Sequence, residues 1–144
     1  MDLDTVREAW SWKGFEPVAV VAENDFGNVI FEDSDGGFWR ICPEECSCER
    51  VAADKLELET LLAQPEFLED WNMHNVVADA RDACGPLTNG KKYSLKMPAC
   101  FGGSYAAENY AIVPFGELIS FSGSLAFQAK EMPDGTQVEL KIIY

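Results

Sequence analysis

Three cysteines fall close together, Cys42, Cys46 and Cys48, and a single histidine, His74, lies downstream. Thiolates and an imidazole could hold a transition metal or form a nucleophile and base pair. The spacing Cys-x3-Cys-x-Cys does not match the paired Cys-x2-Cys units of structural zinc sites. Nothing in the chain brings His74 to a thiol or orients its ring. Cys84 and Cys100 bring the cysteines to five, and an odd number without a secretory leader points to reduced thiols. Asp33-Ser34-Asp35-Gly36 has the look of a calcium loop but lacks the third ligand position and the distant Glu, so it reads as a hairpin turn. There is no phosphate-binding Gly-rich loop, no Gly-x-Ser-x-Gly elbow and no His-Glu-x-x-His. Carboxylates are abundant, yet a crowd of them along helices reads as a solvated face rather than an acid/base pair. The expectation is a protein that is not an enzyme, with no cofactor and no metal.

The carboxylates carry a different message. The 144 residues hold 25 Asp/Glu against 11 Lys/Arg, a net charge of −14. Residues 1–90 contain 20 acidic and 6 basic residues, whereas residues 91–144 contain 5 of each. The excess therefore sits wholly in the first part. Such a field repels nucleic acid and acidic membranes and attracts a basic partner, for example a nuclease with a phosphate-binding groove. Its plainer role is solubility. No apolar run is long enough to span a bilayer, and Met1-Asp2-Leu3-Asp4-Thr5 lacks the apolar core of a signal peptide, so the expected compartment is the cytoplasm.

These side chains need positioning elements. Leu3, Val6 and Trp10 share one face of a short helix, capped by Asp2 or Asp4. Trp10, Trp12 and Phe15 form an aromatic cluster expected to plug one end of the core. Strands are expected over 18–22, 28–32, 38–41 and 47–52, joined by Gly-bearing turns as an antiparallel meander. Asp54 and Glu57 form a capping box that opens a helix to about Ala63. Pro65 opens a second, to Asp70 or Trp71, and a third runs from about Met73 to Cys84, stopped by Gly85-Pro86. Their outward positions carry Glu57, Glu59, Glu66, Glu69, Asp70, Asp79 and Asp82; together with Glu44 and Glu45 these are the expected partner-binding residues. After the loop at 87–90 come a strand at 93–97, a turn at Gly102-Gly103, a strand at 110–113 and a helix from Phe115 to about Glu131. The helix stripe is Leu118, Phe121 or Ser122, Leu125 and Ala129, with Gly123 suggesting close approach to the sheet. Met132-Pro133-Asp134-Gly135-Thr136 then turns into a strand over 137–143, whose strict alternation puts Leu140 inward. The fold class is α+β: an antiparallel β-meander, a helical middle section, then strand-turn-strand-helix-strand. With no repeat or linker, a single domain over 1–144 is expected, acidic over 1–90.

Two stretches resemble one family. The first is Asp25-Phe26-Gly27-Asn28-Val29-Ile30-Phe31 with Asp35-Gly36-Gly37-Phe38-Trp39. The second is Pro98 through Gly102-Gly103-Ser104-Tyr105 and Asn109, then the helix with Gln128 leading to Pro133-Asp134-Gly135-Thr136. Together they are similar to the C-terminal domain of immunity proteins that protect bacteria from DNase toxins delivered by type VI secretion, formerly a domain of unknown function. On that resemblance residues 91–144 are the family-like part. It implies a non-enzymatic protein that binds and neutralises a secreted toxin. Gly27, Gly36, Trp39, Gly102, Gly103, Tyr105, Asn109, Gln128, Pro133, Asp134 and Gly135 are then fold determinants. The alternative is a small-ligand-binding or regulatory module, with Trp10, Trp12, Phe38, Trp39 and Tyr105 lining a pocket.

Overall fold

Short Gly-bearing turns leave neighbouring strands little choice but to pair antiparallel, and they do. The computed structural model describes residues 1–130. In it, β1 (Pro17–Glu23), β2 (Val29–Asp33), β3 (Phe38–Cys42) and β4 (Ser47–Ala52) form one antiparallel sheet in sequence order. The β2–β3 turn is held by Gly36, at φ +88°, whose N–H donates to the Asp33 carbonyl. Both nearby carboxylates are occupied by donors of the chain. Asp33 accepts from the Glu16 amide and from Trp39 Nε1, each at 3.0 Å. Asp35 accepts from the Gly37 amide and from Arg50. This is the chemistry of a hairpin turn, as the sequence implied.

The meander is covered on both faces. Val29, Phe31, Ile41 and Cys48 pack against Val6 and Trp10 of α1 (Leu3–Trp10) and against Phe115, Ile119 and Ala126 of α5 (Phe115–Ala129). On the opposite face Ile30, Phe38 and Ala52 meet Leu58 of α2 (Lys55–Leu62) and Trp71 of α3 (Pro65–Asn72). A strand covered on both sides loses the polar alternation of a half-exposed one, and Val29-Ile30-Phe31 is buried throughout. Each such side chain contributes about 1.5–3 kcal/mol when fully buried. The aromatic plug forms as expected: Trp10 stacks on Trp12 at 5.7 Å, and Phe15 meets Phe31 edge-on at 4.7 Å.

Local capping follows the side-chain chemistry. Asp2 caps α1 by accepting from the Asp4 amide, and Asp54 caps α2 by accepting from the Glu57 amide at 2.8 Å. Met73, between α3 and α4 (His74–Cys84), takes the left-handed conformation at φ +50°, which turns the chain without a glycine at a cost of roughly 1–2 kcal/mol. The Asn24 amide donates to the Trp71 carbonyl at 2.8 Å and ties this corner to the β1–β2 turn. A second, two-stranded sheet pairs β5 (Lys91–Leu95) with β6 (Tyr110–Pro114). Its apolar side, with Phe26, closes over Ala80 of α4.

Three local expectations change. Gly102-Gly103 is not a tight turn between strands: residues 96–109 intervene, with 3-10 turns at Ala99–Phe101 and Ala107–Asn109. Gly102 takes the left-handed conformation (φ +90°), while Gly103 is constrained differently, because a Cβ there would collide with the Met97 carbonyl. Gly123 permits close approach to helix α1, at the Ala9 carbonyl, rather than to the sheet. On the α5 stripe it is Ser122, not Phe121, that is buried, and Ala129 is only half-buried. The expected turn at 132–136, with Pro133, Asp134 and Gly135, and the strand at 137–143 lie outside the described residues. Among those described, no helix is long and apolar enough to cross a membrane.

Two substitutions report on this packing. Leu125→Ala should cost about 2–5 kcal/mol, as for a buried leucine. Gly123→Ala should cost about 1–3 kcal/mol by forcing α1 and α5 apart. Urea denaturation checks both; a Gly123→Ala protein as stable as wild type would show that the two helices are not in contact through that glycine.

Candidate partner-binding face

A carboxamide at the start of β2 sets the electrostatics of this part of the molecule. Asn28 is 0% exposed. Its Nδ2 donates to both carboxylate oxygens of Glu44, at 3.1 and 3.0 Å. Its Oδ1 accepts from Arg40 Nε and Nη2, at 3.1 and 2.9 Å, and from the Cys42 thiol. One neutral side chain thus links a buried anion to a cation. Arg40 reaches onward to Asp70 at 2.7 Å, and its guanidinium lies over the rings of Trp71 and Phe67. Burial raises the Glu44 pKa above the usual carboxylate range, opposed by the Asn28 hydrogen bonds and the Arg40 charge. The network pins α3 against the sheet.

Two of the expected partner-binding residues are engaged within the chain, and one of them, Glu44, is buried. Glu44 is 6% exposed and belongs to the interior network, not to a docking surface. Asp70 is exposed but already paired with Arg40. Glu57, Glu59, Glu66, Glu69, Asp79 and Asp82 are exposed, and none of them forms an ion pair among the described residues. Apolar side chains stand among them: Leu56 is 72% exposed, and Leu62 and Leu68 are also exposed.

The segment between β5 and β6 adds an aromatic to this face. Asn109 is buried and staples its loop: the carboxamide accepts from the Met97 amide and donates to the Met97 and Ser104 carbonyls. Gly103 lets the chain pass against Met97, and its N–H donates to the Pro98 carbonyl. The Gly103-x-Tyr105-x3-Asn109 pattern is therefore a loop-shaping unit, and what it presents is Tyr105. That side chain is 41% exposed, and its hydroxyl donates to Glu45 Oε1 at 2.9 Å. Glu45 is exposed, so this carboxylate stays on the surface and orients the ring. Clefts open on both sides of Tyr105. One, of about 540 Å³, includes Glu69, Asp70, Met73 and His74. The other, of about 390 Å³, includes Asp79, Asp82, Ala106 and Tyr110.

Of the other residues singled out in the sequence, Gly27 takes φ +71° and leaves no room for a Cβ against Leu118. Trp39 bonds Asp33, and Gln128 is exposed and bonds Ser124. The five aromatics proposed to share a pocket do not converge. Trp10 and Trp12 edge a cleft beside β4, Phe38 packs on the other face of the sheet, and Tyr105 stands on the surface loop. Burial pushes the Cys42 and Cys48 thiols up to about 12 and raises that of Cys46 as well, which disfavours the nucleophilic thiolate. Sequence reasoning missed Asn28 and Arg40. Their signal was a polar residue at the edge of the apolar run 29–31 and another between Trp39 and Ile41.

With this geometry in place, comparison with known proteins is informative. Residues 56–126 match the family described as T6SS immunity protein Tdi1, C-terminal. The matched span starts in α2, takes in α3, α4 and the Tyr105 loop, and ends in α5. It thus covers the acidic helices and residues 91–126 of the part expected to be family-like, while the resembling stretch at 25–39 in the meander and the ending from Gln128 to Thr136 lie outside it. No curated protein matches the chain. Among solved structures, the crystal structure of Atu4351 from Agrobacterium tumefaciens is similar, with a TM-score of 0.56 and 17% identity, over 83% of this chain and 61% of that one. That likeness is one of fold, and the present chain accounts for less than two thirds of the Atu4351 chain.

The buried network predicts two outcomes. Asn28→Leu removes the bridge, strips the buried Glu44 of its side-chain donor and leaves Arg40 only its pair with Asp70; about 3–5 kcal/mol of stability should be lost. Glu44→Gln tests the pH dependence. A carboxyl whose folded pKa is raised binds its proton more tightly in the folded chain, so its contribution is present below the unfolded value and is lost as pH rises through the folded one. The stability of wild type relative to Glu44→Gln should therefore fall as pH is raised above 4.5, the unfolded value. Urea unfolding at a series of pH values reads it; a flat difference would mean that Glu44 is solvated.

Proposed function

We propose that this chain, which carries over residues 56–126 the C-terminal domain of a type VI secretion immunity protein family, binds a cognate toxin and neutralises it by occlusion in the bacterial cytoplasm. The observation that carries the reading is the coincidence of two independent features. The family span holds α2, α3, α4 and the Tyr105 loop, and those same elements present the unpaired carboxylates and exposed leucines. An immunity protein needs no catalytic centre; it needs a surface complementary to its toxin. The acidic field favours a basic toxin, and a nuclease groove built to hold phosphates has that charge.

The chemistry of binding follows from the composition of the face. Long-range attraction speeds encounter and is screened as the Debye length shrinks from about 30 Å at 0.01 M salt to about 10 Å at 0.1 M. Leucines and Tyr105 then supply the desolvated contacts that hold the complex, which act on the off-rate. Glu57, Glu66 and Glu69 are suited to the first role, since they are exposed and unpaired among the described residues.

Expression of the chain in cells exposed to the type VI toxin of the native host should restore growth, and the purified pair should form a complex. The triple reversal Glu57→Lys, Glu66→Lys, Glu69→Lys should slow association at low salt and leave the melting temperature within a few degrees. Stopped-flow kinetics at two salt concentrations measures this. An on-rate indifferent to salt and to the reversal would make the acidic face a solubilising surface only, and absence of protection would remove the immunity reading altogether.

A further inference from the structure

Cys46 ends the turn at Pro43–Glu45 in the left-handed conformation, at φ +49°. That conformation is costly for a residue with a Cβ, and glycine would take it freely. A cysteine kept there asks for a reason that lies in its thiol. The turn at Ala99–Phe101 packs on the turn at Pro43–Glu45, and it carries Cys100. The same two segments are tied a second time, by the bond from the Tyr105 hydroxyl to Glu45. Cys46 and Cys100 line one cleft of about 370 Å³, beside Trp10, Trp12 and Lys13. Their sulfurs meet there in a hydrogen bond, which the Cys46 thiol donates and the Cys100 sulfur accepts. Cys100 is exposed and Cys46 half-buried. The other thiols are placed differently: Cys48 is buried, Cys42 donates to Asn28, and Cys84 ends α4.

We infer that Cys46 and Cys100 are a redox-active dithiol that closes reversibly to a disulfide, with a low-molecular-weight disulfide as the oxidant. Access and hydrogen bonding assign the roles. Cys100, the exposed partner, meets the oxidant first. It loses its proton to water, and its sulfur attacks one sulfur of the small disulfide and expels the other as a thiolate. A mixed disulfide on Cys100 results. Cys46 then loses its proton, and its sulfur attacks that of Cys100 and expels the second small thiolate. The two protons end on the two expelled thiolates. Two protein thiols and one small disulfide thus become one protein disulfide and two small thiols. Burial raises both protein thiols, and the hydrogen bond from Cys46 opposes that rise at Cys100, which favours Cys100 as the attacking sulfur. The bridge fastens the loop that presents Tyr105 to the turn between β3 and β4. An exposed bridge of this kind is labile and suits regulation better than permanent stapling. No step involves the toxin, so the site stands apart from the immunity reading.

The test treats the full, reduced chain with oxidised glutathione and reads the products by mass spectrometry of proteolytic peptides. Wild type should lose two of its five thiols, retain no glutathione and yield one cross-linked pair of peptides, Cys46 with Cys100. Dithiothreitol should restore all five. The bridge closes a loop of about 50 residues and should raise the melting temperature by roughly 5–10 °C. Cys46→Gly suits the left-handed backbone, so the reduced variant should still fold, yet its oxidation should stop with one glutathione on Cys100. Cys100→Ser should form no bridge and should take up glutathione about tenfold more slowly, because the exposed sulfur is gone. Glutathione that persists on Cys100 of wild type, a bridge between other cysteines, or thiols that all stay reduced would overturn the assignment. So would a bridge that lowers the melting temperature, the mark of two sulfurs forced together.

Discussion

One carboxamide holds together what would otherwise be a liability. Glu44 is buried in the turn between β3 and β4, where a carboxylate is costly unless its oxygens are satisfied. Asn28 satisfies both of them with one group and uses its other end for Arg40. Because Arg40 continues to Asp70 and lies over Trp71 and Phe67, the network runs from the centre of the meander to the outer helices. Such a linkage specifies geometry more than it adds stability, since an apolar set of similar volume would hold α3 as tightly.

The face that results combines three contributions from different parts of the chain. Helices α2 to α4 give charge and scattered leucines. The Asn109-stapled loop gives Tyr105. The turn that ends in Glu45 gives the hydrogen bond that orients its ring. Rigid presentation matters here, because a tyrosine ordered before binding loses less entropy on contact. The loop's geometry comes from Gly103 against Met97 and from Asn109, which bonds Met97 and Ser104.

Electrostatics and folding pull against each other in this arrangement. Exposed carboxylates that form no ion pair among the described residues repel one another, and such repulsion destabilises a compact state. The chain offsets it with a sheet buried on both faces and with aromatic packing at one end. Burial holds the Cys42 and Cys48 thiols protonated: Cys48 packs as a small apolar filler, and Cys42 donates to Asn28.

The sequence by itself determined the order and kind of the elements, because local rules decide them: Gly36 in a tight turn, Asp54 at a helix cap, Pro65 at a helix start, Gly85 at a helix end. It also determined the charge asymmetry, which is arithmetic, and a family resemblance that later matched residues 56–126. Only the tertiary structure decided which carboxylates are buried and which are exposed. Glu44 and Glu45 are neighbours in sequence and alike in chemistry, yet one is buried beneath Asn28 and the other stands on the surface under Tyr105. Gly123 likewise announced a close approach without saying to what, and the answer, α1, depends on how two helices distant in sequence cross. That Tyr110, Asp79 and Asp82 line one cleft was equally hidden, since it needs α4 packed against β6. Burial and partnership are properties of contacts between remote segments, and no local pattern of residue types encodes them.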